Sequence, residues 1–157
     1  MTYIQNWPLM WRVLRHVVDH PDEYDQTRWW SHTPCGTTRC VAGWLAHLAK
    51  YSDFPGDSWH VVRPGLVVPV GDDEALDALY DDGAVSVDEA ALDALGVEDW
   101  SRRNLVDISL FSGTLSWNDV LQNVVAFAEA DGVTPPLRVL DILTDEGVLP
   151  SDHPWRQ

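Results

Sequence analysis

The stretch HTPCGTTRCVAGWLAHLA, residues 32–49, holds both cysteines of the chain and two of its six histidines. Whether it is a metal site, a nucleophile or the seed of a core decides how the rest of the sequence is read. As a metal site, His32, Cys35, Cys40 and His47 are the right ligand types for zinc. Their spacing argues against it. If Cys40 and His47 share a helix they are separated by roughly 10 Å along its axis at about 1.5 Å per residue, whereas zinc ligands converge within about 2.3 Å of one ion. No CxxC knuckle is present. As a nucleophile, Cys35 would sit just ahead of a helix N-terminus, where the dipole favours a thiolate, with His32 or His47 as base. The loop that cradles a phosphatase cysteine needs a longer Cys-to-Arg interval than Cys35 to Arg39 provides, and no acid partner for either histidine is identifiable. A local Cys35–Cys40 disulfide requires a particular bend of the loop. The reading adopted is structural: Gly36 and Thr37 form a turn, Cys40 packs as a small hydrophobe, Gly43 and its alanine neighbours admit a second helix, and Trp44 anchors a core. The metal, thiol and disulfide readings stay open as alternatives.

Outward from this stretch the apolar spacing is mostly helical. Met10, Val13, Leu14, Val17 and Val18 mark a helix over 8–19, with Pro8 in its first turn. Val41, Trp44, Leu45 and Leu48 mark another over about 38–50, for which Thr37 or Thr38 is the expected cap. The segment WHVVRPGLVVPV then places a Pro-Gly turn between two valine pairs, predicting a short β-hairpin-like excursion near 59–70. Leu76, Leu79 and Tyr80 predict a short helix. Ser86 with Glu89 reads as a capping box ahead of a helix closed by Gly96. Trp100, Leu105 and Ile108 announce the next. Ser116 caps a helix that Gly132 stops, and Thr134, Pro135 and Pro136 open a last one running to Gly147. The expected fold is therefore mainly α: a compact bundle of about six or seven helices in one domain, residues 1–150, followed by a C-terminal tail, 151–157.

Composition narrows the function classes. The 157-residue chain is 45% hydrophobic with nine tryptophans, enough for one core without staples. No window approaches the roughly 18 apolar residues of a membrane span, and the N-terminus lacks the layout of a signal peptide, so the expectation is a soluble protein of the cytoplasm. Twenty-five acidic residues against ten basic ones give a formal charge of −15, which repels nucleic acid and anionic lipid. The acid is concentrated: between Arg63 and Arg102 there is no basic residue. Asp73, Asp77 and Asp81 recur every fourth position, on a helix a row of carboxylates about 6 Å apart. With Asp82 and Asp88 they form a candidate acidic face, comparable in spacing to the phosphates of one DNA strand. Trp30 and Trp59 are the candidate aromatic contacts, and Trp155 a further one, because adjacent Trp29 and Trp30 cannot both point inward on a regular element.

The residues CGTTRCVAGW, preceded by HPDEYDQTRWW and followed by AALDALGVEDW and a Leu-Phe pair, resemble a family of small proteins of actinobacteria and their phages. That family's motif, C-G-T-x-x-C-x-A-G-W, falls on Cys35, Gly36, Thr37, Cys40, Ala42, Gly43 and Trp44, with Leu95-Gly96 and Leu110-Phe111 as weaker partners. The resemblance covers residues 18–130 or so and implies an accessory protein, often phage-encoded. It implies no activity and no catalytic residue. Residues and resemblance together predict a non-enzymatic protein that binds a host protein, in one variant inhibiting a basic nucleic-acid-binding host or defence factor by charge mimicry, with a homodimer as a further possibility and without cofactor, direct nucleic-acid or membrane binding. The alternative is a small enzyme or ligand- or metal-binding protein using Cys35, Cys40, His32 and His47.

Overall fold

The computed structural model describes residues 2–25, 31–33, 36–38, 40–49, 51–52, 61–63, 66–69 and 85–157, with the short strands described by their backbone. The expected helix at Leu76–Tyr80 lies outside the described residues. Within them are six α-helices: α1 (Trp7–Asp19), α2 (Val41–Leu48), α3 (Val87–Leu95), α4 (Trp100–Leu110), α5 (Trp117–Asp131) and α6 (Leu137–Asp145). The protein is mainly α. The described residues also include two 3-10 turns, Pro21–Glu23 and Pro154–Arg156, and six short strands.

Helix α1 lies against α2, α3 and α6, and burial follows the pattern of its sequence. Trp7, Met10, Trp11, Val13, Leu14 and Val17 are buried, while Arg12 and Arg15 face water. Trp7 and Trp11, one turn apart, stack with ring centroids 4.6 Å apart. The most extensive helix–helix contact is between α2 and α3. Both present small residues, Ala42, Gly43 and Ala46 on α2 and Ala90 and Ala91 on α3, all buried, so the backbones approach closely. Helix α2 begins later than its apolar spacing suggests. Thr37 and Thr38 belong to strand β2 (Gly36–Thr38), which pairs antiparallel with β1 (Ser31–Thr33), and so cannot cap it. Cys40 takes that place, its Sγ accepting from the Gly43 amide at 3.5 Å.

Where the hairpin-like excursion is described, β4 (Val61–Arg63) runs antiparallel to β5 (Leu66–Pro69). Strand β5 also pairs with β3 (Tyr51–Ser52) and β6 (Val85–Ser86). Ser86 thus enters the ladder immediately before α3, and its side chain, named above as half of a capping box, lies outside the described residues.

The helix stops read from glycine are the three positive-φ glycines of the described residues, Gly96, Gly132 and Gly147. Gly96 ends α3 in a tight turn, with its own amide on the Asp93 carbonyl at 3.0 Å and the Val97 amide on Leu92 at 3.1 Å. The N-terminal segment closes over this end. Gln5 and Asn6 amides both reach the Leu95 carbonyl at 2.9 Å, and Asn6 Nδ2 reaches Ala94 at 3.0 Å while its Oδ1 caps α1. One residue thus starts α1 and finishes α3. Asp131, at the end of α5, holds the same segment: it accepts from the Tyr3 amide at 2.6 Å, the Ile4 amide at 2.9 Å and Trp7 Nε1 at 3.0 Å.

Residues 151–157 fold back on α6. Arg156 donates to Asp141 at 3.0 Å and to Thr144 at 2.8 Å, and Trp155 packs on the core cluster.

Candidate functional site

Among the described residues, a shallow cleft lined by carboxylates lies between α3 and α4. Its volume is about 290 Å³, and its lining is Asp88, Glu89, Leu92, Trp100, Arg103, Asn104 and Asp107. The first two come from the opening turn of α3, where carboxylates favour the exposed amides of the helix start. The last four come from α4. Local sequence fixes how the two helices meet. After the Gly96 turn, Asp99 caps α4 by accepting from Ser101 and Arg102 amides at 2.9 and 3.2 Å. Arg103 then ties the helices together, donating to the Val97 carbonyl at 2.8 Å and pairing with Asp93 at 2.9 Å. Arg102 is engaged by Asp99 at 2.6 Å. Both arginines of this region are thus held by carboxylates of the same chain.

Asp88 on α3 and Asp107 on α4 line the same groove, near enough for a proton on one carboxyl to form a hydrogen bond to the other. Burial, then the neighbouring Asp107 charge and this hydrogen bond, push the Asp88 carboxyl from 3.8 up to about 6. Asp107 is also raised, by burial, against the lowering effect of accepting from Asp88.

Beside the groove, α4 shows an apolar face to water. Trp100 is 79% exposed, Ile108 58% and Leu105 44%. The three residues that announce this helix in the sequence therefore lie on its outer side. Its inner side is made by Val106 and Leu110, fully buried, flanked by the half-buried Arg102, Arg103, Asp107 and Ser109.

The thiol stretch has a different character. Cys40 is a free, buried thiol pushed up to about 11, chiefly by burial, against three lowering backbone hydrogen bonds. It is a neutral thiol at physiological pH. Trp44 is buried, with Nε1 donating to the Glu23 carbonyl at 3.0 Å, and it holds the rings of His16 and His47 at centroid distances of 4.0 and 5.6 Å. His16 Nε2 and Glu23 Oε2 are 2.9 Å apart. Val41, Ala42 and Gly43 are buried beside them.

The chain matches no family model, no curated protein and no solved structure. Its site is therefore argued from its own residues. Of those named from sequence, Asp88 lines the groove and is half-buried. Asp73, Asp77, Asp81, Asp82, Trp30, Trp59 and Cys35 lie outside the described residues, as do the side chains of His32 and Thr37, whose backbones form β1 and β2 with that of Gly36. Among the described residues no group of three or more His, Cys, Asp or Glu side chains is placed to hold a metal ion, and no helix is long and apolar enough to cross a membrane. Reasoning from sequence missed Asp107 and the outward face of Trp100, Leu105 and Ile108. The signal for that face is present in principle: Trp100, Asn104 and Ile108 form one i, i+4 row, with Asn104 an ill-suited core residue in its middle.

Proposed function

We propose that this is a non-enzymatic, acidic binding protein that acts by docking on a basic host macromolecule. The observation that carries the reading is the exposed apolar row of α4, Trp100 with Ile108, alongside a groove holding Asp88, Glu89 and Asp107. Aromatic and aliphatic side chains exposed on a helix beside carboxylates combine the two ingredients of a charged interface: desolvation energy from the apolar centre, and orientation and encounter rate from the charge around it. The formal charge of −15 extends that selectivity over the whole molecule. In the sharper form of the proposal the partner is a nucleic-acid-binding host or defence factor whose groove the acidic surface occupies, with Asp73, Asp77, Asp81 and Asp82 adding to Asp88. The alternative built on Cys35, Cys40, His32 and His47 is weakened at Cys40, whose thiol is buried and held neutral.

Affinity capture from host lysate, followed by binding measurements at increasing salt, tests the reading. A basic partner whose affinity falls steeply as ionic strength rises past about 0.15 M is the expected result. Recovery of neutral or acidic partners alone, or binding indifferent to salt, overturns it.

A further inference from the structure

Resting on the binding reading above, we infer that the α3–α4 groove and the adjoining Trp100–Ile108 row of α4 form one seat for an amphipathic helical segment of a basic partner protein, with its apolar residues on Trp100 and Ile108 and an arginine or lysine at Asp88 and Asp107.

The dimensions fit a helix. Trp100 and Ile108 share a row two turns long, about 12 Å along the axis at about 1.5 Å per residue, with Asn104 midway along it, whereas Leu105, five positions from Trp100, lies round the helix beside Tyr3, Ser101 and Arg102. Apolar side chains at i, i+3, i+4 and i+7 of a partner helix cover such a stripe. Asn104, between Trp100 and Ile108 and also lining the groove, offers a polar side chain where the apolar stripe meets the carboxylates.

Charge decides the occupant. Three carboxyl groups, Asp88, Glu89 and Asp107, line one partly desolvated groove, and a cation placed between Asp88 and Asp107 offsets the repulsion between neighbouring carboxylates. The groove's own cation is committed elsewhere: Arg103 is held by Asp93 at 2.9 Å and by the Val97 carbonyl at 2.8 Å, and it also braces the two helices whose separation sets the groove. An incoming cation is therefore complementary to a charge that the fold creates and its neighbouring arginine does not take up. A planar guanidinium can contact both carboxylates at once, which favours arginine over lysine at this point. A second copy of this chain is the poorer occupant. Apposing two such faces brings Asp88, Glu89 and Asp107 of one copy towards their counterparts, and each copy carries −15.

The test is panning a yeast-displayed random peptide library against the full-length protein, then measuring affinities of the enriched peptides for variants. The expected peptides are net positive, with apolar residues at helical spacing. Trp100→Ala, at a side chain 79% exposed and so harmless to folding, should weaken them at least about tenfold, in the range of a binding hot spot. Asp88→Asn should weaken them about fivefold to tenfold, the loss of one charge-assisted contact. Leu137→Ala, at an equally exposed apolar residue on α6, should leave affinity unchanged. Basic peptides that bind Trp100→Ala as well as the parent protein, or lose as much affinity to Leu137→Ala, overturn the groove assignment and leave the acidic-binding reading standing. Enrichment of peptides without positive charge, or no enrichment, overturns both. Sedimentation of Trp100→Ala beside the parent protein supplies a last arm: conversion of a dimer to a monomer would give the face to a second copy and overturn the proposal.

Discussion

Replacing Asp88 by asparagine should make the protein more stable at neutral pH and leave it unchanged in acid. In the folded chain the Asp88 carboxyl titrates at about 6, compared with 3.8 for the free group, because it is half-buried and hydrogen bonded to Asp107. A carboxyl whose folded value is raised holds its proton more tightly in the native state. Its favourable contribution is complete below about pH 4, erodes as pH rises towards 6, and becomes a standing cost above that. At about 1.36 kcal/mol for each pH unit of displacement the full cost would be near 3 kcal/mol. Asp88 is partly solvated, and screening reduces this to about 1–1.5 kcal/mol. The titratable groups facing it are Asp107 on α4 and, more weakly, the neutral Cys40 thiol at the start of α2, with Glu89 and Arg103 lining the same groove. Asparagine carries no charge and still offers an N–H to the Asp107 carboxylate, so it removes the repulsion while keeping a hydrogen bond. For a chain of this size the gain at pH 7.5 amounts to a melting temperature about 3 °C higher.

Urea unfolding followed by far-ultraviolet circular dichroism at pH 7.5 and pH 4 measures both ends of the window. A variant less stable than the parent at pH 7.5 would refute the reasoning. So would a gain of equal size at both pH values, since that would assign the effect to packing and not to the proton. Asp107→Asn should show a gain of the same sign, and the two gains should not add, because each substitution removes the same repulsion.

Asp131→Ala removes the acceptor for two backbone amides and one indole N–H and should cost about 3 kcal/mol by urea unfolding, whereas alanine at the exposed Asp145 should stay within about 0.5 kcal/mol. Gly96→Ala meets both a positive φ and the Gln5 Cβ at 2.9 Å, so it should lose at least about 2 kcal/mol, against about 1 kcal/mol for Gly132→Ala, which has the same φ and open space. Adding Gln5→Gly should recover part of the Gly96→Ala loss and none of the Gly132→Ala loss; equal recovery in both would show that the clash is not the cause. In a Cys35→Ser background, Cys40 should react with a thiol reporter at pH 7.5 only as fast as the chain opens, with labelling accelerating in urea; fast labelling of the native protein would contradict its burial and its displacement to about 11.

What the sequence makes legible is whatever depends on neighbours along the chain. The stops at Gly96, Gly132 and Gly147, the Ser116 cap with Asp119 returning to its backbone, and the inward stripe of α1 follow from local chemistry alone. The small-residue side of α2 likewise implies a close neighbour, although not that α3 supplies it. The start of α2 is misread because two threonines with good capping chemistry are drawn into strand pairing, and a strand ladder outweighs a single cap.

The groove belongs to the class of features that periodicity cannot reach. Asp88 and Asp107 stand nineteen positions apart in the chain, on helices whose relative placement depends on the Gly96 turn and on Arg103, and neither carboxylate differs in sequence from the many others around it. In α4 the ambiguity is sharper. Apolar residues ring much of an eleven-residue helix: Val106 and Leu110 face the core, Trp100 and Ile108 lie along one exposed row, and Leu105 is exposed further round. Side-chain size favours burying the tryptophan, and the structure buries the valine and leucine. Arg102 is tied to Asp99, and Arg103 to Asp93 and the Val97 carbonyl, contacts that fix how α4 is set against α3. With α4 so placed, Trp100 stays exposed at the edge of the groove. A stable fold that keeps Trp100 in water, against the usual drive to bury it, leaves a surface whose desolvation by a partner is the largest unclaimed source of free energy on the described surface of α4.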